Sequence, residues 1–217
     1  MTPVSRTYRR GVEVSVWSRR TSVQFTKRTW PRYHSSSKNE LSLYTAPVAG
    51  KRYEAQDCSL ARALGVLGDR WALLIVRDAF YGVRRFNDFQ AHLDVPRAVL
   101  AKRLSELVQE GILDRRPDPQ RAGSHVYELT RAGRELWPAL YALLVWGDRH
   151  LYANPRTYRH AACGTALDER GRCPECRLTP EPEDVLTVRR RGRGKARDDH
   201  VAVALRRPRR LLDPLDV

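Results

Sequence analysis

The chain has 217 residues, 41% of them hydrophobic and 30% charged, which is enough for one well-buried domain with extensions. No run approaches the roughly 18 apolar residues that span a bilayer, and the start lacks the apolar block of a secretory signal, so the sequence points to a protein that stays inside the cell. The net charge of +15 sits mostly at the two ends: residues 1–40 hold 9 Lys/Arg against 2 Asp/Glu, residues 41–188 hold 21 against 19, and residues 189–217 hold 10 against 4. Such ends read either as arms that hold an anionic polymer, with phosphate backbones the usual candidate, or as solvated extensions without function.

In chain order, residues 1–51 are rich in Arg, Ser and Thr, have only Glu13 and Glu40 as acids and keep no helical period, so a basic, disordered extension is expected there. Its make-up also fits an organelle transit peptide or a start codon placed too far upstream. Order is expected from Asp57. CSLARALGVLGDRWALLIVRDAF, from Cys58, splits into two helices at Gly68, with Ala61, Leu64 and Leu67 on one apolar face and Trp71, Leu74, Ile75 and Ala79 on the next. Asp69 is the expected N-cap of the second. RRFNDFQAHL is a short helix. VPRAVLAKRLSELVQEGIL then places Leu100, Leu104, Leu107 and Val108 on one stripe, with Asp94 and Pro96 as start signals and Gly111 as the stop.

Beyond Gly111 the period switches from helical to alternating. ILDRR and HVYEL read as two strands around the turn-rich PDPQRAGS, a hairpin with a basic tip. Thr130 caps RAGRELWPALYALLVWGDRHL, read as one amphipathic helix kinked near Pro138. Helix, helix, basic-faced helix and hairpin is the order of a winged helix-turn-helix. A helix fits the DNA major groove with its N-terminal residues at the base edges, while a basic wing lies along the backbone or enters the minor groove. The expected DNA contacts are Arg97, Ala98, Ala101, Lys102 and Arg103 on the helix, and Arg115, Arg116, Arg121 and His125 on the wing. The bland alternative is a basic side that is merely solvated.

The stretches CSLARALGVLGDRWALLIVRDAF, RRFNDFQAHL, VLAKRLSELVQEGIL, YELTRAGREL and LLVWGDRHL resemble, in order and spacing, the HxlR-type bacterial transcriptional regulators. The resemblance covers a little under half of the chain. It implies a homodimeric DNA-binding domain in the bacterial cytoplasm, associated with the nucleoid. It also implies dimerisation through the first helix and the long helix after the wing, which makes Leu64, Trp137, Leu140, Leu144 and Trp146 interface candidates; their alternative role is monomer core. Relatives often carry small polar side chains where this chain has Ala98 and Ala101, so base reading here leans on Arg97, Lys102 and DNA shape. A two-fold dimer implies a palindromic operator.

Cys58 lies just ahead of the first helix, where the macrodipole favours a thiolate. Many members of the family place a cysteine there, and some use it to sense oxidants or electrophiles; the alternative is a small apolar residue packed at an interface. The other three of the 4 cysteines crowd into HAACGTALDERGRCPEC. His160 and Cys163 are spaced H-x2-C, Cys173 and Cys176 are spaced C-x2-C, and 9 residues lie between the pairs. Two such knuckles supply four protein ligands for one structural zinc ion and leave no open position for a substrate. Gly164 suits the first tight turn, whereas Arg177 stands where glycine commonly follows the second pair. The alternatives are an empty site or free thiols, and His150 is a candidate replacement for His160.

The expected fold is mainly α with a small β-hairpin wing, an α+β chain in which a winged helix-turn-helix over residues 52–152 precedes a zinc-ribbon-like module over 153–188 and a basic, disordered tail over 189–217. Nothing resembles a phosphate loop, a nucleophile with a placed histidine or a paired-carboxylate pocket, so an enzyme is not expected. The expected function is sequence-specific regulation of transcription on double-stranded DNA, with a thiol-responsive signal. The competing reading is a zinc-ribbon adaptor, or a nucleic-acid-binding interaction protein, without operator specificity.

Overall fold

The computed structural model describes residues 57–151, 156–189 and 197–215. The extension read over residues 1–51 lies outside the described residues. Helices α1 (Ser59–Leu67) and α2 (Arg70–Phe80) are separated at Gly68, as the sequence implies, and Asp69 Oδ1 accepts the Trp71 amide at 2.8 Å as the N-cap of α2. α2 buries Ala72, Ile75, Val76, Ala79 and Phe80, whereas α1 buries only Ala61. Helix α3 (Phe86–Leu93) ends with Asp94 in the left-handed region at φ 53°, a conformation that a short polar side chain tolerates. Asp94 therefore stops α3; the N-cap position of the next helix is Pro96, which makes no side-chain cap.

That helix, α4 (Arg97–Gln109), buries Leu100, Leu104 and Leu107, the stripe visible in the sequence, and leaves Ala98, Ala101 and Lys102 exposed. Gly111 at φ +70° turns the chain into the hairpin of β1 (Leu113–Pro117) and β2 (His125–Leu129), an antiparallel pair with Leu113 opposite Leu129 and Pro117 opposite His125. A single bridge from Arg85 to Val126 adds a third, minimal strand to the wing. Thr130 Oγ1 accepts the Gly133 amide at 3.1 Å and caps only a short helix, α5 (Arg131–Arg134). The long helix expected after the wing is thus divided: α6 (Trp137–His150) starts afresh with Pro138 in its first turn, where the missing amide costs least.

The structure departs from the sequence reading after residue 155. Strands β3 (Arg156–His160) and β4 (Val185–Arg189), a 3-10 turn at Pro182–Asp184, helix α7 (His200–Ala204) and strand β5 (Arg209–Arg210) build a three-stranded sheet in the order β3, β4, β5. This sheet and the residues after it share one core with the helices: Tyr158, Val185, Val201, Leu205, Leu211 and Leu215 pack in the same buried cluster as Phe80, Trp137 and Tyr141. The module expected over 153–188 is therefore joined to the winged helix rather than separate. The tail expected to be disordered over 189–217 is ordered through 197–215, because its apolar residues, hidden among ten basic ones in the sequence, have somewhere to go. Among the described residues no helix is long and apolar enough to cross a membrane.

Candidate nucleic-acid interface and metal centre

The exposed start of α4 carries Arg97, Ala98, Ala101 and Lys102 on the side opposite its buried leucines. The Arg97 guanidinium stacks 4.8 Å from the Phe86 ring centroid, so the first residue of α3 orients the first residue of α4. Lys102 is loosely matched to Glu106 at 3.9 Å and stays exposed. Arg103, expected on the same surface, is engaged elsewhere: its Nη2 lies 2.9 Å from Asp69 Oδ2 and its Nη1 2.6 Å from Glu106. Asp69 thereby serves two elements at once, capping α2 with one oxygen and holding α4 with the other. Arg103 is an inter-helix brace.

The wing divides its cations between two faces. Arg115 and His125 meet across the strands at 3.1 Å and are exposed. Arg116 points to the opposite face, where Asp114 at 2.8 Å and Glu128 at 3.8 Å neutralise it. Arg121 is exposed at the tip. The tip itself is fixed by a group that sequence reasoning missed. Arg85, buried, donates from Nε to Asp118 Oδ2 at 2.7 Å and from Nη2 to Gln120 Oε1 at 2.7 Å, while the Gln120 amide donates to Asp118 Oδ1 at 2.9 Å. The only sequence signal is an Asp inside a turn-rich segment, which reads as turn chemistry alone.

The Arg85 hydrogen bond, with help from the Gln120 amide and against the cost of burial, holds the Asp118 carboxyl down to about 2. A carboxyl depressed in the folded state stabilises it fully above the ordinary value near 3.8 and ceases to do so as pH falls toward about 2. Wing amides are therefore expected to shift cooperatively between about pH 4 and 2, and Asp118→Asn to abolish that step, as read by amide NMR. A wing indifferent to pH in this window would disprove the anchor.

The residues expected to bind metal come together. The ligand atoms of His160, Cys163, Cys173 and Cys176 all lie within 4.8 Å of one another, with Cys163 Sγ 3.4 Å from His160 Nδ1 and 3.5 Å from Cys173 Sγ. A tetrahedral ion with sulfur and nitrogen ligands sets such atoms about 3.4–3.8 Å apart, so a small closure completes the site. His160 ends β3, and Gly164, at φ +72°, returns its amide to the His160 carbonyl at 2.8 Å. The second knuckle directs the Cys176 amide to Cys173 Sγ at 3.4 Å and forces Arg177 to φ +58°. Arg177 thus adopts the left-handed backbone for which its side chain is a poor substitute for glycine. Hydrogen bonds from Thr165 pull the Cys163 thiol down to about 6, whereas the hydrogen bond with Cys163, burial and Cys173 push the Cys176 thiol up to about 11. His150 lies on α6 against Trp146, at a ring separation of 5.4 Å, and is not part of the cluster.

The interface candidates separate by burial. Trp137 and Leu140 are 5% and 6% exposed and lie in the core, out of a partner's reach; Leu144 is half-buried. Leu64 and Trp146 are 47% and 55% exposed, joined by Leu60, Leu143 and Leu151, all above half. Leu143 and Leu151 belong to the apolar set of the helix after the wing as read from the sequence, and Leu60 lies one turn before Leu64 on α1. Cys58 is exposed at the N-cap position of α1 and makes no side-chain cap.

A family model described as HxlR-like helix-turn-helix matches residues 66–155. The HTH-type transcriptional regulator Rv3095 of Mycobacterium tuberculosis is 43% identical over 144 residues, covering 60% of this chain and 88% of the relative. The chain belongs to the HxlR family of helix-turn-helix transcriptional regulators. Its winged helix-turn-helix is a DNA-binding domain, and this HxlR-type protein regulates transcription and is not an enzyme. YodB of Bacillus subtilis, also an HTH-type transcriptional regulator, is 31% identical over 88 residues, covering 40% of this chain and 79% of YodB. Among solved structures, the redox regulator HypR in its reduced form is 28% identical over 43% of this chain and 96% of HypR, at a TM-score of 0.40.

Proposed function

We propose that this HxlR-type regulator reads a palindromic operator as a two-fold homodimer, with α4 in the major groove and the wing on the flanking backbone, and that a structural zinc ion is held by His160, Cys163, Cys173 and Cys176. The observation that carries the reading is the pairing of two surfaces. The uncovered start of α4 offers Arg97 and Lys102 to DNA, while large apolar side chains are left exposed on α1 (Leu60, Leu64) and at the end of α6 (Leu143, Trp146, Leu151). Arg115, His125 and Arg121 extend the cationic surface along the wing; Ala98 and Ala101 offer methyl contacts to thymine. Arg103 and Arg116, both matched by carboxylates, contribute little to phosphate binding. The domain boundaries that fit are residues 52–152 for the DNA-binding part, with the ribbon and the ordered tail packed onto it. An oxidant or electrophile acting on thiols is the signal the reading favours, since Cys58, Cys163 and Cys176 are exposed and none of them is in a disulfide.

Arg97→Ser combined with Lys102→Gln is expected to weaken duplex binding and to flatten the dependence of log K on log salt by about 2, one for each phosphate that no longer meets a cation. Titrations of a labelled genomic operator at several salt concentrations measure it. An unchanged slope would remove these side chains from the interface.

A further inference from the structure

Three of the four cysteines are within reach of one another, and Cys58 is not one of them. Cys163 is exposed and its Sγ stands 3.5 Å from that of buried Cys173, a partner close enough to trap an oxidised sulfur before solvent reaches it. The loop these residues close is also mechanically connected. Inside it, the Asp168 carbonyl accepts the Tyr141 hydroxyl of α6 at 2.9 Å, Glu169 pairs with Arg149 of α6, and farther on Glu183 pairs with Arg134 of α5 at 2.9 Å. Between these links the ribbon and α6 leave a cleft of about 230 Å³ lined by Leu144, Asp148 and Leu167, so beyond the packing of Tyr158 on Trp137 and Tyr141 the links tie the metal-binding loop to the helix. The opposite side of α6 carries the exposed Leu143 and Trp146.

We infer that Cys163 and Cys173 are a peroxide-sensitive pair whose disulfide dismantles the metal centre and, through α6, loosens the grip on DNA. This rests on the zinc and dimer reading given above. The step balances: the Cys163 thiolate attacks hydrogen peroxide, giving a sulfenic acid and hydroxide; the Cys173 thiolate then displaces a second hydroxide to form the S–S bond. Two thiolates are oxidised by two electrons and one peroxide is reduced. His160 and Cys176 remain, too few ligands to keep a structural ion. The disulfide keeps the knuckles joined but draws the two sulfurs from 3.5 Å to about 2.05 Å and releases His160 and Cys176, so loop 161–184 shifts, its links from Asp168 and Glu169 to α6 are displaced, and the spacing between paired recognition helices is no longer fixed.

The test compares the full-length protein with its Cys58→Ser variant, each treated with hydrogen peroxide. Metal content before treatment, the disulfide map by mass spectrometry, zinc release to a chromogenic chelator and affinity for operator duplex are all read. Both proteins are expected to form the Cys163–Cys173 disulfide, to release one zinc per chain and to bind DNA roughly tenfold more weakly, an ordinary size for coupling between sites. Reductant with added zinc restores binding. A response that vanishes in Cys58→Ser, or an affinity unchanged once the disulfide has formed, would overturn the inference. Protein that contains no zinc and ignores duplex before peroxide is added would instead sink the reading it rests on.

Discussion

Replacing Trp137 by alanine is expected to lower the unfolding free energy by about 3–5 kcal/mol, and by the same amount at every protein concentration. The indole is the hub of three other aromatic side chains: Phe80 at 5.1 Å, Tyr141 at 5.7 Å and Tyr158 at 5.4 Å between ring centroids. Those rings come from α2, α6 and β3, so one residue glues the DNA-binding helices to the metal ribbon. Burial reinforces the joint: the Tyr81 and Tyr158 hydroxyls sit 2.7 Å apart, and desolvation pushes the Tyr158 phenol well above its ordinary range. Truncation leaves a cavity that elements from three parts of the chain cannot all collapse into. Trp146→Ser is the contrasting case. Its indole is exposed, so its loss should weaken association and reduce the dependence of the denaturation midpoint on protein concentration, while the fold of each chain survives. Chemical denaturation at two protein concentrations separates the two. A Trp137→Ala protein within about 0.5 kcal/mol of the parent, the range of an innocuous surface change, would mean that the hub does not hold the parts together.

Gly82→Ala should be almost as severe. Gly82 has φ +86°, and a β-carbon there would overlap the Asp213 carbonyl oxygen. The strained backbone costs about 1–2 kcal/mol by itself. The overlap adds the loss of the ordered tail, whose Leu212 amide donates to the Phe80 carbonyl at 2.7 Å and whose Leu215 amide donates to the Gly82 carbonyl at 2.8 Å. Stability is expected to fall by more than about 2 kcal/mol, with amide exchange at Leu212 and Leu215 accelerated ahead of that in α4. Gly65→Ala is the control: nothing lies within 4 Å of its added methyl, and the helix interior gains up to about 1 kcal/mol of propensity. Unaltered exchange at Leu212 in the Gly82 variant would refute the docking.

The features legible in the residues alone are those that rest on local period and spacing. The α4 leucine stripe, the Asp69 cap, the Gly111 stop, the hairpin and the four metal-ligand candidates each declare themselves within a window of about 15 residues. The features that stay hidden depend on distant partners. Arg103 is an ordinary basic residue on a basic face until Asp69 is known to stand beside it. Asp118 is a turn residue until Arg85, 33 positions earlier, reaches it. Trp137 and Leu140 satisfy the pattern of a dimer helix equally well as core, and only the arrival of β3 decides between them. The tail misleads for a compositional reason. Val201, Leu205, Leu211 and Leu215 are diluted by arginine, and a rule based on charge density judges such a segment by its majority. Pro138 reads as a kink within one helix, yet the short helix α5 ends before it and the chain restarts its helix there.

The stitching of Leu212 and Leu215 onto residues 80–82 also orders events in time. During synthesis the helix-turn-helix leaves the ribosome about a hundred residues before the segment that finishes its core, so the nascent DNA-reading part waits incomplete until that segment is made. A message cut short after the wing would therefore yield no half-active competitor for the operator, only a fragment with an open seam for chaperones and proteases to find.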